Sequence, residues 1–132
     1  MRSNLLLFHF LLSLTLFNCE RQPHRQGRIL YQNFCANCHM DDGSGLAGNI
    51  PPLAQSDYVS QNQGQLACII RNGMEGPVVV NGKTYQNPMA AIPQLSEFEI
   101  ANILNYINQA WENDYGYLPL KTVRENLERC KQ

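Results

Sequence analysis

The stretch NFCANCHM, residues 33–40, places Cys35 and Cys38 three positions apart and His39 directly after the second cysteine. On one turn of helix, side chains three positions apart lie on the same face, so both thiols can reach one bound group. The adjoining histidine supplies a metal ligand at the same place. The chemistry of the chain is therefore expected at this turn.

Four interpretations of this motif are open: covalent attachment of haem c, a redox dithiol, half of a zinc site, and chance. A redox dithiol is expected near a βαβ pattern, which the sequence does not show. A zinc site needs four ligands and commonly a second close pair, whereas Cys68, Cys130 and His24 lie far apart in the sequence. C-x-x-C-H attaches a c-type haem through both cysteines and ligates its iron through the histidine. The motif therefore predicts one covalently held haem c.

The N-terminal segment indicates export. Arg2 precedes the apolar run LLLFHFLLSLTLF at residues 5–17. That run is shorter than the roughly 20 residues that span a bilayer, and it fits the apolar part of a signal peptide. A buried core helix is the alternative.

The residues after this run resemble a bacterial lipobox. In LFNCE, Leu16 fits the pattern, Asn18 departs from the usual small residue, and Cys19 would carry the lipid. We predict a lipoprotein-type signal peptide at 1–18 and a tether at 19–26, with the protein anchored on the periplasmic side of a membrane. Ordinary cleavage without a lipid is the alternative.

The composition is that of one small globular domain. The 132 residues are 44% hydrophobic and 16% charged, and the formal net charge is -1. The sequence has no basic stripe of the kind that binds nucleic acid. We therefore expect no nucleic-acid partner.

The hydrophobic periodicity predicts a mostly helical chain with one small hairpin. Ser96 and Glu99 form a capping-box pattern that begins the clearest helix. Asn81-Gly82 between two β-prone runs predicts the hairpin turn. The other predicted helices cover residues 27–37, 65–72 and 122–130.

From about Gly27 to Ile107, the sequence resembles the class I monohaem cytochromes c. Gly27, Tyr31 and Cys35 match the family spacing of glycine, aromatic residue and first haem cysteine. Tyr106 matches the aromatic residue that crosses near that glycine. The resemblance implies an all-α cytochrome c fold with a small β-hairpin, a domain at 27–110 and a C-terminal helical extension at 111–132.

The resemblance also implies the second ligand of the iron. TYQNPMAAIPQLSEFEIANILNYI, residues 84–107, is similar to the family segment that carries a ligand methionine, and Met89 takes that position. Met74 is the main competitor. A proline carbonyl, from Pro51 or Pro52, would accept a hydrogen bond from His39.

Ligation by histidine and methionine leaves no open position on the iron, which favours one-electron transfer over reaction with a substrate. We predict an electron carrier, not an enzyme, that docks transiently with redox donors and acceptors. The alternatives are a haem-bearing subunit of a larger oxidase or reductase complex, and a haem sensor or peroxidase with an open site.

Two features remain. Cys68 and Cys130 are an even pair in an exported chain, so a disulfide and two free thiols are both open interpretations. The segments AWEND and PLKTVRENL resemble an extension of cytochromes that serve copper nitrite reductases or haem–copper oxidases.

Overall fold

The computed structural model describes residues 24–130, so the predicted signal peptide and Cys19 lie outside the described residues. The helices are α1 Arg25–Phe34, α2 Ala36–His39, α3 Asp57–Gln61, α4 Leu66–Asn72, α5 Glu97–Ile107 and α6 Leu120–Arg129, and the strands are β1 Val78–Val80 and β2 Lys83–Tyr85. This mostly helical architecture with one antiparallel hairpin confirms the predicted fold class. No helix between residues 24 and 130 is long and apolar enough to cross a membrane.

The crossing of α1 over α5 is the main helix contact of the fold. A Cβ atom at Gly27 would overlap the carbonyl oxygen of Asn102 and would lie 2.8 Å from Cβ of Tyr106. Only glycine permits two helix backbones to approach this closely. The pairing of Gly27 with Tyr106 that the sequence suggested is therefore a physical contact.

Helix α5 begins as predicted. The Ser96 side chain accepts from the backbone N–H of Glu99, and the Glu99 carboxylate accepts from the backbone N–H of Ser96. These bonds satisfy N–H groups that have no partner within the helix. The apolar residues of the first turns, Ile100, Ile103 and Leu104, are at most 1% exposed and form the centre of the core.

The hairpin pairs Val78 with Tyr85 and Val80 with Lys83. Asn81 and Gly82 have φ angles of 50° and 74°, and a type I′ turn requires positive φ at both central residues. This confirms the predicted hairpin. Its inward side chains pack with Tyr58 and Met74 in a small cluster beside the main core.

The first predicted helix is interrupted. Residues 27–37 were expected as one helix, but α1 ends at Phe34, Cys35 has φ −120°, and α2 restarts at Ala36. The break reorients the chain at the first cysteine of the motif. Local periodicity did not show it, because the apolar spacing continues through Cys38.

Helix α6 packs into the main core. Val123 and Leu127 are buried with residues of α5, and the helix also contacts α4. It begins two residues before the predicted start. The structure joins Cys130, just after α6, to Cys68 of α4 by a disulfide with Cα atoms 5.8 Å apart.

Buried asparagines hold the segment between α5 and α6. Asn105 donates to the carbonyl of Leu118 at 2.9 Å and accepts from its N–H at 2.7 Å. Asn108 donates to the carbonyl of Gly116 at 3.2 Å. The side chains thus replace secondary structure as partners for this irregular backbone.

Candidate functional site

One apolar cavity of about 320 Å³ contains most of the candidate site residues. Cys35, Cys38, His39, Met74 and Met89 all line it. The remaining walls are mainly aliphatic side chains from α4, the hairpin, α5 and the loop that follows the motif, and the aromatic rings are those of Phe34 and Tyr58. Such a cavity suits a large, flat, apolar cofactor that also needs nitrogen and sulfur ligands.

The two cysteines of the motif sit in different environments. Cys35 is 7% exposed, whereas Cys38 is exposed. Burial, and then the neighbouring Cys38, raise the pKa of the Cys35 thiol to about 12. The unattached Cys35 side chain is therefore a neutral thiol at neutral pH. Among residues 24–130, Cys35 and Cys38 are the cysteines that form no disulfide.

His39 is oriented by the loop that follows it. Its Nδ1 lies 3.1 Å from the carbonyl oxygen of Pro51, so Nδ1–H donates and the lone pair of Nε2 is left for a metal. Burial lowers the pKa of His39, with the Pro51 bond opposing that effect. The imidazole is thus held neutral, which is the form that ligates a metal.

Of the two prolines considered, the structure places Pro51 at this hydrogen bond. Gly45 makes the close approach possible: its φ is 67°, and a Cβ atom there would lie 2.6 Å from the Pro51 carbonyl oxygen. Its N–H also donates to the carbonyl of His39 at 3.0 Å. The glycines of this loop were visible in the sequence, but their contact with Pro51 was not.

Met74 and Met89 form a two-residue bridge. Each N–H donates to the other residue's carbonyl at 2.9 Å. Both side chains are half-buried. The sequence treated these residues as competitors, and the structure brings both of them to the same cavity.

An aromatic cluster contacts the backbone that directly follows His39. The ring centroids of Tyr31, Tyr106 and Trp111 lie 5.0–5.5 Å apart in pairs, with tilted or edge-on planes. The Tyr31 hydroxyl donates to the carbonyl of Met40 at 2.7 Å, and the Trp111 indole N–H donates to the carbonyl of Asp41 at 3.0 Å. Sequence reasoning assigned Trp111 no role.

The zinc interpretation finds no support in the described part of the chain. Across residues 24–130, no three His, Cys, Asp or Glu side chains are grouped so that they could hold a metal ion. Cys68 and Cys130 are bonded to each other, and His24 Nε2 lies 3.0 Å from the Gln109 side-chain oxygen. The three residues that remained as possible extra zinc ligands thus have other partners.

Comparison with known proteins supports the predicted haem c cofactor. Residues 25–111 match the family model described as cytochrome c. The chain is 36% identical over 105 residues to cytochrome c-552 of Thermus thermophilus, which covers 74% of this chain and 80% of that protein. A second cytochrome c-552 from the same species is 32% identical over 105 residues, 74% of this chain and 71% of that protein.

A third relative belongs to an enzyme complex. The cytochrome c subunit of the quinone alcohol dehydrogenase from Gluconacetobacter polyoxogenes is 33% identical over 92 residues. The match covers 66% of this chain and 19% of that subunit. The similarity therefore concerns one domain-sized part of a much longer protein.

Proposed function

The chain belongs to the cytochrome c family, and we propose that it shuttles single electrons with haem iron held by His39 and Met89. Membership of the family implies one covalently bound haem c and an electron carrier, not an enzyme. Cys35 and Cys38 would provide the two thioether bonds. When bound, haem c supplies an iron that changes oxidation state by one electron.

The observation that carries this proposal is the composition of the cavity. A neutral imidazole, two motif cysteines and a methionine line one apolar space. The apolar walls would exclude water from the iron, and a methionine ligand would raise its reduction potential. With His39 and Met89 both bound to the iron, no position would be left for a substrate.

The chain's own residues would limit movement of the site during electron transfer. The Pro51 carbonyl holds the imidazole ring in one orientation, and the bridge between Met74 and Met89 fixes the backbone that carries the methionine. Rigid ligands reduce the rearrangement that accompanies a change of charge on the iron. The exposed Phe34 beside the cavity would offer an apolar contact for transient partners.

Replacement of Met89 tests the ligand assignment. We expect the purified ferric protein to show the methionine-to-iron charge-transfer band, Met89→Ala to abolish it, and Met74→Leu to retain it. Met74→Leu is the matched control because it removes a thioether from the same cavity and keeps the volume similar. A band that persists in Met89→Ala would contradict the assignment.

We also propose the cellular position that the N-terminus suggested. Removal of residues 1–18 would leave Cys19 lipidated and residues 19–26 as a tether whose last two residues begin α1. Residues 27–110 would form the cytochrome domain and residues 111–132 an extension. The family match over residues 25–111 supports the domain limits. The disulfide between α4 and the end of α6 supports an oxidising compartment.

The anchor has a direct test. In cells that export and mature the protein, wild type should fractionate with membranes as a form that begins at a lipidated Cys19, and Cys19→Ser should keep its haem but carry no lipid. Mass spectrometry of the mature N-terminus checks the lipid itself. An unlipidated wild-type N-terminus would contradict the lipoprotein assignment.

A second function is favoured by one observation, the similarity to the cytochrome c subunit of a quinone alcohol dehydrogenase. In this alternative the chain is a haem-bearing subunit of a larger oxidase or reductase complex. Mild detergent extraction and size-exclusion chromatography distinguish the two. Co-elution with a dehydrogenase or oxidase in fixed stoichiometry favours the subunit, whereas elution as a free small protein favours the shuttle.

A further inference from the structure

The C-terminal end of α4 lies directly against the methionine loop, the segment of residues 86–96 that carries Met89 between β2 and α5. The backbone carbonyl of Ile70 accepts from the N–H of Ile92 at 2.9 Å, and Met74 and Met89 exchange two backbone hydrogen bonds of the same length. Gly73 lies between these two connections. The loop is therefore attached to the end of α4 on both sides of this glycine.

Gly73 ends α4 and makes the close contact possible. Its N–H donates to the carbonyl of Ile69 at 2.8 Å, and its φ of 77° and ψ of −174° turn the chain out of the helix. That backbone region is essentially confined to glycine. A Cβ atom at Gly73 would lie 2.5 Å from the carbonyl oxygen of Met89 and 2.9 Å from the backbone nitrogen of Ala91. The backbone of the methionine loop therefore occupies the space that a side chain at Gly73 would need.

Of the two partners in this contact, the loop is the one that can move. Helix α4 is joined to the end of α6 by the disulfide, and its buried side chains belong to the main core. In the loop, Ala90 and Ala91 are exposed. Crowding at Gly73 would therefore displace the loop backbone, and Met89 with it, rather than α4.

We propose that Gly73 is a positioning residue for the iron ligand: it leaves room for the loop backbone and so holds Met89 where its sulfur binds the iron firmly. This inference rests on the proposed ligation by His39 and Met89. Gly73 does not line the cavity, so it acts on the ligand through the backbone of the methionine loop.

The test is the affinity of the ferric holoprotein for added imidazole, which binds the iron only when Met89 releases it. The apparent affinity is proportional to the fraction of molecules in which Met89 is dissociated. We expect Gly73→Ala to raise this affinity about tenfold, the factor that corresponds to about 1.4 kcal/mol of crowding relieved when the loop moves away. The methionine charge-transfer band should then disappear at about one-tenth of the imidazole concentration that wild type requires.

Two controls separate ligand positioning from other effects. Gly76 also has a positive φ, 81°, but a Cβ atom there meets nothing within 4 Å, so Gly76→Ala alters a similar backbone position without crowding the loop and should keep the wild-type imidazole affinity. In the Met89→Ala background, adding Gly73→Ala should leave the imidazole affinity unchanged, because no bond from Met89 to the iron remains to be weakened. Far-UV circular dichroism checks that each variant is folded.

Equal imidazole affinities of Gly73→Ala and wild type would overturn the proposal. An increase that persists in the Met89→Ala background would also overturn it, because Gly73 would then control access to the cavity and not the ligand. A methionine band that survives Met89→Ala would instead overturn the ligand assignment, so the two failures are distinguishable.

Amide hydrogen exchange of the wild-type holoprotein tests the same contact without a substitution. Saturating imidazole should speed exchange at the N–H groups of Met89 and Ile92, which join the loop to Met74 and to α4. The Gly73 N–H, which is bonded within α4, should keep its protection. Unchanged exchange at Met89 and Ile92 would overturn the proposal, because the methionine would then leave the iron without any movement of the loop.

Discussion

Gly27→Ala tests the crossing of the N-terminal helix α1 over α5. The added methyl group would overlap the carbonyl oxygen of Asn102 and lie 2.8 Å from both the Asn102 carbonyl carbon and the Tyr106 Cβ. Two of these three atoms belong to the backbone of α5 and cannot move aside as a flexible side chain would. The helices would have to separate, which would disturb the packing of the aromatic cluster.

The expected effect is a loss of about 2 kcal/mol in the free energy of unfolding. Overpacking of a tight core typically costs about 1–3 kcal/mol, and the upper end applies because the overlap is with backbone. Alanine offsets about 1 kcal/mol of this cost, since it is a better helix former than glycine. For a domain of this size the change corresponds to roughly 10 °C in Tm.

Guanidinium denaturation of the holoprotein, followed by far-UV circular dichroism, measures this change. The midpoint should fall with little change in the m-value. Gly64→Ala is the matched control, because a Cβ atom there meets nothing within 4 Å. We expect it to leave stability within about 1 kcal/mol of wild type. If Gly27→Ala were as stable as Gly64→Ala, the close crossing would not be a constraint on the fold.

Three further variants, one of them a double substitution, probe other parts of the structure. The double change Cys68→Ala and Cys130→Ala opens a loop with a sequence separation of 62 and should lower the free energy of unfolding by about 3 kcal/mol; unchanged stability in thermal denaturation would show that the bridge does not constrain the unfolded chain. Trp111→Ala removes the third ring of the aromatic cluster and should lower the free energy of unfolding by about 3 kcal/mol. In chemical denaturation, a loss below about 1 kcal/mol would show that the ring does not stabilise the fold. Asn113→Ala removes the side-chain oxygen that accepts from the Gln55 N–H at 2.6 Å. We expect faster amide exchange at Gln55, and unaltered protection there would show that this hydrogen bond does not protect the amide.

The bond between His39 and Pro51 illustrates why some of the site could be anticipated and some could not. The resemblance to the class I cytochromes c narrowed the acceptor of the His39 hydrogen bond to one of two adjacent prolines, Pro51 or Pro52. The choice of Pro51 depends on Gly45, whose missing side chain lets the loop fold back onto the imidazole. That contact belongs to the folded loop and leaves no local pattern.

The aromatic cluster and the asparagine contacts could not be predicted from the sequence. Trp111 meets Tyr31 and Tyr106 from a position after the core helix, where it has a positive φ angle of 53°. Asn113 reaches the carbonyls of Leu53 and Ile107. Neither Trp111 nor Asn113 belongs to a recognisable sequence motif, so their roles follow only from their contacts in the folded structure.

The sequence by itself determined the features whose partners lie within a few residues: the haem motif, the capping box of α5 and the turn of the hairpin. Each of these features depends on residue spacing within one helical turn or one pair of strands, and that spacing can be read directly from the sequence. The tertiary structure alone decided which residues meet across long separations, including Cys68 with Cys130 and Met74 with Met89. Such contacts depend on how the common core aligns distant segments, which no local pattern encodes.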